Sequence, residues 1–437
     1  MLRTFHNLMF GAALALYGCG SSPLEPADSA RTTDDDDRRD VDVDDKTTVD
    51  DDDARGEPDE TRDDEPAGAG PMSSGGQAFG DWTYHEVDGA VCRDGSPAGY
   101  YVRAGASSNL LIFLNGGGIC YDDFFCGINP ANVNSSLPGE NLLAASLDIV
   151  SGALVPVRQV PPDAGIFKKD PRNPVADWSM VYVPYCTGDL HAGTKRDAEV
   201  FTATLQGKQQ FVGYTNLGLF YEHFGRAYKG KAEKVLLSGS SAGGFGTLLN
   251  YDRTQDFFGS STRVFALTDS GVPFRDEWLE PCLQKNVRAL YGLHLPEECE
   301  GCFPADGGGL AEGLGGYIFK QKYKGRFLGG GISSKQDEII KLFFSLGLAN
   351  CTKEGGSEAI ASFLGASEYP ADRYPTGLKD FIENVGGKEQ LGSYMVEGTQ
   401  HQHIFRDRYF EQNGVGMTMA EFVGKVLASE PVHVGTL

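Results

Sequence analysis

The sequence predicts an α/β fold, with a mostly parallel sheet, helices on both faces and disulfide-pinned insertions. Three observations lead to this prediction. Short apolar runs such as Val235–Leu237 are typical of strands buried on both faces. Such runs alternate with helical segments, an order that produces parallel sheets. One run continues into residues 239–243, Gly-Ser-Ser-Ala-Gly, which form a Gly-x-Ser-x-Gly turn between a strand and a helix.

Ser241, at the centre of this turn, is the predicted nucleophile, because a strand–turn–helix of this pattern exposes the serine hydroxyl at the edge of the sheet. A glycine triplet, Gly116–Gly118, follows a buried strand upstream, and its backbone N–H groups can reach an oxyanion. We expect the two oxyanion donors to be the N–H groups of Gly117 and Ala242. The pattern alone also allows a structural turn serine and a flexible glycine turn.

The remaining elements follow in chain order. An edge hairpin is predicted at residues 78–103. A disulfide-pinned insertion is predicted at residues 275–325, which contain three cysteines and show weak periodicity. The loop 184–191 lies at a strand end, so it either binds substrate or is anchored by a disulfide. Strands are predicted at 109–114, 179–183, 235–237, 264–268 and 390–396, and the strand pattern recovers at 326–334 after the insertion. Helices are predicted at 218–229, after the Gly-x-Ser-x-Gly turn of residues 239–243 (the elbow), and after residues 335–340 through Leu348.

A serine nucleophile needs a general base and an orienting carboxylate. In hydrolases with this elbow, the acid and then the histidine follow the serine along the chain. Asp337 and Asp269 both follow predicted strands, and Asp337 is preferred because it lies further downstream. The candidate histidines are His294, His401, His403 and His433. His401 is preferred, since it follows the last predicted strand; a metal pair with His403 lacks a carboxylate at fixed spacing. This chemistry requires no metal and no organic cofactor.

Residues 1–18 predict an export signal, in which Arg3 precedes the apolar run Leu8–Leu16. The run ends in Leu16-Tyr17-Gly18-Cys19, which resembles the lipobox of bacterial lipoproteins. We therefore expect lipidation of Cys19, a lipid anchor in the membrane, and placement at the outer membrane or cell surface, with a periplasmic-facing position as an alternative. A plain signal peptide with an incidental cysteine is the other interpretation.

Residues 19–77 predict a disordered acidic tether. The net charge of −23 is concentrated there, since residues 25–65 hold 20 acidic and 6 basic residues. The aspartate runs match no defined calcium loop. Residues 78–437 then form one folded domain, which we expect to act as a monomer. No basic patch is present in the sequence, so a nucleic-acid partner is not expected.

Eight cysteines remain after Cys19, and an even number in an exported chain favours disulfides. Cys120 and Cys126 are close enough in sequence for a local bridge. Cys299 and Cys302 have the spacing of a metal or redox motif, but no second ligand pair accompanies them, which favours a disulfide.

Several ordered motifs resemble the pectin acetylesterase family, which includes the carboxylesterase Notum. They are Gly116–Gly118, Asn173-Pro174 with Asp177-Trp178, residues 183–189, Ser238–Gly244, Asp269–Gly271 and His401. The resemblance covers most of residues 79–410 and implies an α/β-hydrolase fold with the triad Ser241, Asp337 and His401. Asp269 is then a structural residue. The plant members have Trp-Cys after the triplet, where this chain has Ile119-Cys120.

These observations predict a serine esterase that removes acetyl groups from a polysaccharide such as pectin. A carboxylesterase for longer acyl chains on a lipid or lipoprotein is the first alternative. A surface-anchored binding lipoprotein without catalysis is the second, and the presence of a complete triad speaks against it.

Overall fold

The computed structural model describes residues 77–79, 81–119, 126, 145–148, 153–156, 161–200, 208–351 and 369–436. Of residues 77, 79, 145–148, 153–156 and 346–351, the structure describes the backbone alone. The signal peptide, Cys19 and the acidic tether predicted from the sequence lie outside the described residues. The described residues all belong to a compact unit formed by residues 69–437.

The β-strands of the described residues form one large sheet and two small hairpins. They are β1 (Gln77–Phe79), β2 (Trp82–Val91), β3 (Pro97–Arg103), β4 (Leu110–Leu114), β5 (Ala145–Asp148), β6 (Ala153–Pro156), β7 (Ser179–Val183), β8 (Lys195–Glu199), β9 (Lys208–Phe211), β10 (Lys234–Ser240), β11 (Arg263–Asp269), β12 (Gly329–Ser334), β13 (Leu391–Val396) and β14 (His433–Val434). The large sheet has ten strands in the order β1-β2-β3-β7-β4-β10-β11-β12-β13-β14.

Seven neighbouring strands of this sheet, from β7 to β14, are parallel, and β1–β3 form an antiparallel edge. The elbow strand β10 lies between β4 and β11, near the middle of the sheet. Because the carboxyl ends of parallel strands meet at one edge, the loops after β4, β10, β11, β12 and β13 converge there. The predicted fold class, an α/β-hydrolase-like sheet, is confirmed.

The α-helices of the described residues cover both faces of the sheet. They are α1 (Gly213–Phe224), α2 (Ala242–Phe258), α3 (Pro281–Tyr291), α4 (Leu310–Gly315), α5 (Glu338–Cys351), α6 (Arg373–Asp380) and α7 (Met419–Leu427). None of the helices in this described part is long and apolar enough to cross a membrane.

The core consists of two apolar clusters, one on each face of the sheet, because consecutive strand residues point in opposite directions. In β10, Val235 and Leu237 join the cluster under α1 and α2, whereas Leu236 joins the cluster under α7. All three side chains are fully buried. The continuous apolar run of β10 in the sequence therefore reflects burial on both faces.

Helix α1 begins five residues before the predicted start at Gly218. Its first N–H group, of Gly213, donates to Oδ2 of Asp189 at 2.7 Å. A carboxylate stabilises the orphan N–H groups and the positive end of a helix, so this distant aspartate extends the helix. Local sequence patterns contain no information about a partner 24 residues away.

Disulfides pin loops to the fold. Cys92 joins Cys186, which anchors the loop after β7, and Cys299 joins Cys302 within the predicted insertion. Cys126 and Cys282 are disulfide-bonded as well. The Cys-x-x-Cys motif is thus a disulfide, as the sequence favoured, and the predicted insertion holds α3 and α4.

Candidate active site

The elbow places Ser241 at the carboxyl edge of the sheet. Strand β10 ends at Ser240, helix α2 begins at Ala242, and Ser241 between them has φ 58° and ψ −123°. A non-glycine residue in such a region costs about 1–3 kcal/mol and persists only where the surroundings hold it. Here the Ser241 N–H donates to the carbonyl oxygen of Asp269 at 2.8 Å, and its own carbonyl accepts from Gly244 N at 2.9 Å.

The glycine loop after β4 lies directly against the elbow. A Cβ atom at Gly243 would lie 1.9 Å from the carbonyl oxygen of Leu114, and one at Gly116 would lie 2.7 Å from Cβ of Ser241. These distances require glycine at both positions, since nothing larger than hydrogen fits between the two backbones. Gly117 is the next residue in this loop, and Ala242 is the first residue of α2, whose N–H has no partner within the helix; their role as oxyanion donors stays a prediction.

Asp337 and His401 form a hydrogen-bonded pair across the edge of the sheet. Nδ1 of His401 lies 2.8 Å from Oδ2 and 3.0 Å from Oδ1 of Asp337. Oδ1 of Asp337 also accepts from the N–H groups of Ile339 and Ile340, at the start of α5, at 3.1 and 3.0 Å. The carboxylate is fully buried. It therefore holds the proton on Nδ1 and leaves Nε2 of His401 free to act as a base.

The segment after His401 is bound to the end of β11, the strand beside the elbow strand β10. The N–H groups of His403 and Ile404 both donate to Oδ2 of Asp269, at 2.7 and 3.0 Å. The same oxygen accepts from Oγ of Ser240, the residue before Ser241, at 2.9 Å. Asp269, the alternative acid, thus binds the histidine loop and the elbow strand together.

The other candidate histidines have different partners. His403 is fully buried with Nε2 3.1 Å from Oγ of Ser334, and burial lowers its pKa. His433 contacts Ser393, and His294 stacks on Tyr214. Of the four candidates, His401 is the one bonded to Asp337.

No hydrogen bond joins Oγ of Ser241 to Nε2 of His401 among the described residues. Such contacts are commonly long before substrate binds. Both side chains are nearly buried, at 5% and 7% exposed. The structure thus holds a serine hydroxyl and a carboxylate-bound imidazole at the same edge of the sheet, and these are the groups that base-assisted nucleophilic attack requires.

The loop after β7 contacts the residue before the glycine triplet through His191, a contact that the sequence did not predict. Nε2 of His191 lies 2.8 Å from the carbonyl oxygen of Asn115, which precedes the triplet. The His191 carbonyl in turn accepts from Nδ2 of Asn250, in the helix of the elbow, at 3.0 Å. Burial lowers the pKa of His191 to about 4, so it is neutral at pH 7. The position of this loop at a strand end was the only signal for it.

The described residues contain no group of three His, Cys, Asp or Glu side chains arranged for a metal ion. The histidines near the site form hydrogen bonds with other residues and not with one another. His401 pairs with Asp337, His403 with Ser334, and His191 with the carbonyl of Asn115.

A pectinacetylesterase family model matches residues 83–294. Among relatives, palmitoleoyl-protein carboxylesterase notum2 of Xenopus laevis is 29% identical over 230 residues, 48% of this chain and 43% of the relative. Palmitoleoyl-protein carboxylesterase NOTUM of Homo sapiens is 32% identical over 41% of this chain and 34% of its own length. The NOTUM enzyme of Drosophila melanogaster is 28% identical over 49% of this chain and 32% of its own length. The match thus spans less than half of each relative. Both comparisons support a carboxylic ester hydrolase.

The family match includes the glycine loop and the elbow, while Asp337 and His401 lie beyond its end. Those two residues are assigned from their mutual contact and from their order in the chain.

Proposed function

We propose that this chain is a serine esterase of the pectin acetylesterase and Notum family and that it removes acetyl groups from a carbohydrate; the family model that matches residues 83–294 supports the proposal. One observation carries the proposal. The buried Asp337–His401 pair and the strained Ser241 lie at the same edge of the sheet, and Asp269 ties their two loops together. Strained backbone and a buried acid–imidazole pair next to a serine are what acyl transfer needs.

In the proposed reaction, Oγ of Ser241 attacks the ester carbonyl while Nε2 of His401 accepts its proton. Asp337 stabilises the imidazolium that forms. The N–H groups of Gly117 and Ala242 donate to the oxyanion, and loss of one such donor typically costs about 10²–10³ in rate. The tetrahedral intermediate collapses, and the alcohol leaves with the proton from His401. Water, deprotonated by His401, then attacks the acyl-enzyme and releases the acid and the serine.

The preference for acetyl rests on the name of the family model, and the printed names of the relatives favour a second candidate. Those relatives are palmitoleoyl-protein carboxylesterases, so a carboxylesterase for long acyl chains is the alternative. An acyl-length series on 4-nitrophenyl esters separates the two. A maximum at acetyl supports our proposal, and a rise towards octanoyl supports the alternative.

We also propose that the protein is exported and anchored through Cys19 to a membrane. The disulfides Cys92–Cys186 and Cys299–Cys302 support export, because such bonds persist in oxidising compartments.

The decisive experiment measures acetate release from a panel of acetylated polysaccharides by the wild type and by Ser241→Ala. We expect release by the wild type and none by the variant. Labelling with a fluorophosphonate probe provides a test that needs no substrate. A folded wild type that is not labelled, or equal labelling of Ser241→Ala, refutes the catalytic role of Ser241 and favours a binding protein.

A further inference from the structure

We propose that Gln402 is a specificity-determining residue whose side-chain amide binds the alcohol portion of the ester. The inference rests on the proposed function, namely that Ser241 attacks an ester at this site. It assigns the recognition of the leaving alcohol to a residue that no sequence motif singled out.

The backbone of Gln402 is held in place from both sides. It has φ 64°, a left-handed conformation that non-glycine residues rarely adopt. Its N–H donates to Oγ of Ser270 at 3.1 Å, and its carbonyl accepts from Nε of Arg406 at 2.9 Å. A conformation of this kind persists where neighbouring contacts enforce it, and such positions cluster at functional sites. The direction of the Gln402 side chain is thus set by its surroundings.

The amide of Gln402 lies beside the nucleophile. A Cβ atom at Gly116 would be 3.2 Å from Nε2 of Gln402 and 2.7 Å from Cβ of Ser241. Both groups therefore border the same small space above Gly116. The side chain is partly exposed, and within the described part of the chain its amide has no hydrogen-bond partner. Two donors and one acceptor are consequently available to a bound molecule at the reacting centre.

The positions of the neighbouring groups indicate that the Gln402 amide binds the alcohol portion of the ester and not its acyl carbonyl. The carbonyl oxygen is assigned to the N–H groups of Gly117 and Ala242. The leaving alcohol must approach His401, because it takes its proton from Nε2. Gln402 directly follows His401 in the chain, and its amide reaches from there towards Gly116. An alcohol that bonds to His401 therefore lies within reach of this amide.

An amide at this position suits an alcohol that carries further hydroxyl groups. A hydroxyl both donates and accepts, so it can replace the water that hydrates the amide in the free enzyme. An alkyl group would displace that water without replacing its hydrogen bonds, which is unfavourable. A site built to bind a substrate hydroxyl discriminates strongly against an analogue that lacks it.

The test compares two acetate esters of nearly equal size, 2-hydroxyethyl acetate and propyl acetate, on the wild type and on Gln402→Met. Methionine resembles glutamine in length but lacks the amide. We expect kcat/KM for the hydroxylated ester to fall about tenfold, in line with one lost hydrogen bond, and kcat/KM for propyl acetate to change about twofold at most. Gln412→Met, the same change at an exposed position, is the matched control and should leave both values unchanged.

Equal losses on both esters, or no loss on either, would overturn the inference. A wild type that hydrolyses neither ester, or Ser241→Ala that hydrolyses both, would instead overturn the proposed function and the inference with it. If Gln402→Met does not fold, Gln402→Asn replaces it, since asparagine tolerates the left-handed conformation and its amide is one methylene shorter. The same selective loss on the hydroxylated ester is then expected.

Discussion

Replacing His191 by glutamine is expected to remove an acid-sensitive part of the protein's stability. His191 is 3% exposed, and Nε2 must carry the proton because its partner, the carbonyl of Asn115, can only accept. Burial lowers the pKa of His191 from 6.5 to about 4. Between these two values the unfolded chain binds a proton on this imidazole and the folded chain does not. The contribution of the neutral His191 to the free energy of unfolding is therefore fully present above pH 6.5, and it is lost as the pH drops towards 4.

The magnitude follows from the difference between the two pKa values. The shift from 6.5 to about 4 corresponds to about 3 kcal/mol of unfolding free energy, about 2 kcal/mol of which is already lost at pH 5. Other groups titrate in this range too, but they cancel when two variants are compared at each pH. Glutamine cannot be protonated, and it can still donate to Asn115.

The assay is urea unfolding of the wild type and His191→Gln at pH 7.5 and pH 5. We expect the stability difference between them to shift by about 2 kcal/mol in favour of the variant at the lower pH. His433→Gln, at an exposed histidine of β14, is the matched control. A stability difference for His191→Gln that stays constant between the two pH values would refute the assignment of a buried neutral imidazole.

Two further substitutions test the site directly. Asp337→Asn should reduce kcat by about 10⁴ without unfolding the chain, because asparagine no longer holds the proton on Nδ1 of His401; a loss below tenfold in steady-state kinetics would contradict the pairing. Gly116→Ala introduces a Cβ 2.4 Å from the carbonyl oxygen of Ser240, so we expect about 1–3 kcal/mol of destabilisation and a kcat at least about 100-fold lower. Unchanged melting temperature and activity in Gly116→Ala would show that the two loops do not touch.

The fold could be predicted because its signals are local. The buried strands β4, β10 and β11 appear as apolar runs, and the elbow combines a strand, a small-residue turn and a helix within residues 234–258. The start of α1 was placed too late because the group that extends it, Asp189, belongs to another loop. The two-residue strand β14 was not predicted either, since it is stabilised by pairing with β13 and not by its own pattern.

The candidate site was only partly accessible from the sequence, because the same residue types occur twice. His401 and His403 both follow β13. Asp269 is the last residue of β11, and Asp337 follows the end of β12. The structure separates them by contact. His401 pairs with Asp337, whereas His403 is buried against Ser334 and its N–H group donates to Asp269.

The Gly-x-Ser-x-Gly turn, the glycine loop and the order of the possible partners can be predicted from the amino-acid sequence, because each depends on neighbours in the chain. The pairing of acid and histidine requires the folded chain, since Asp337 and His401 are 64 positions apart and are brought together by the parallel strands β12 and β13. The structure also shows the contact of His191 with the backbone of Asn115 and the position of the Gln402 amide beside Gly116. Contacts to a backbone atom of a distant residue leave no pattern in the amino-acid sequence, and for that reason they appear only when the chain is folded.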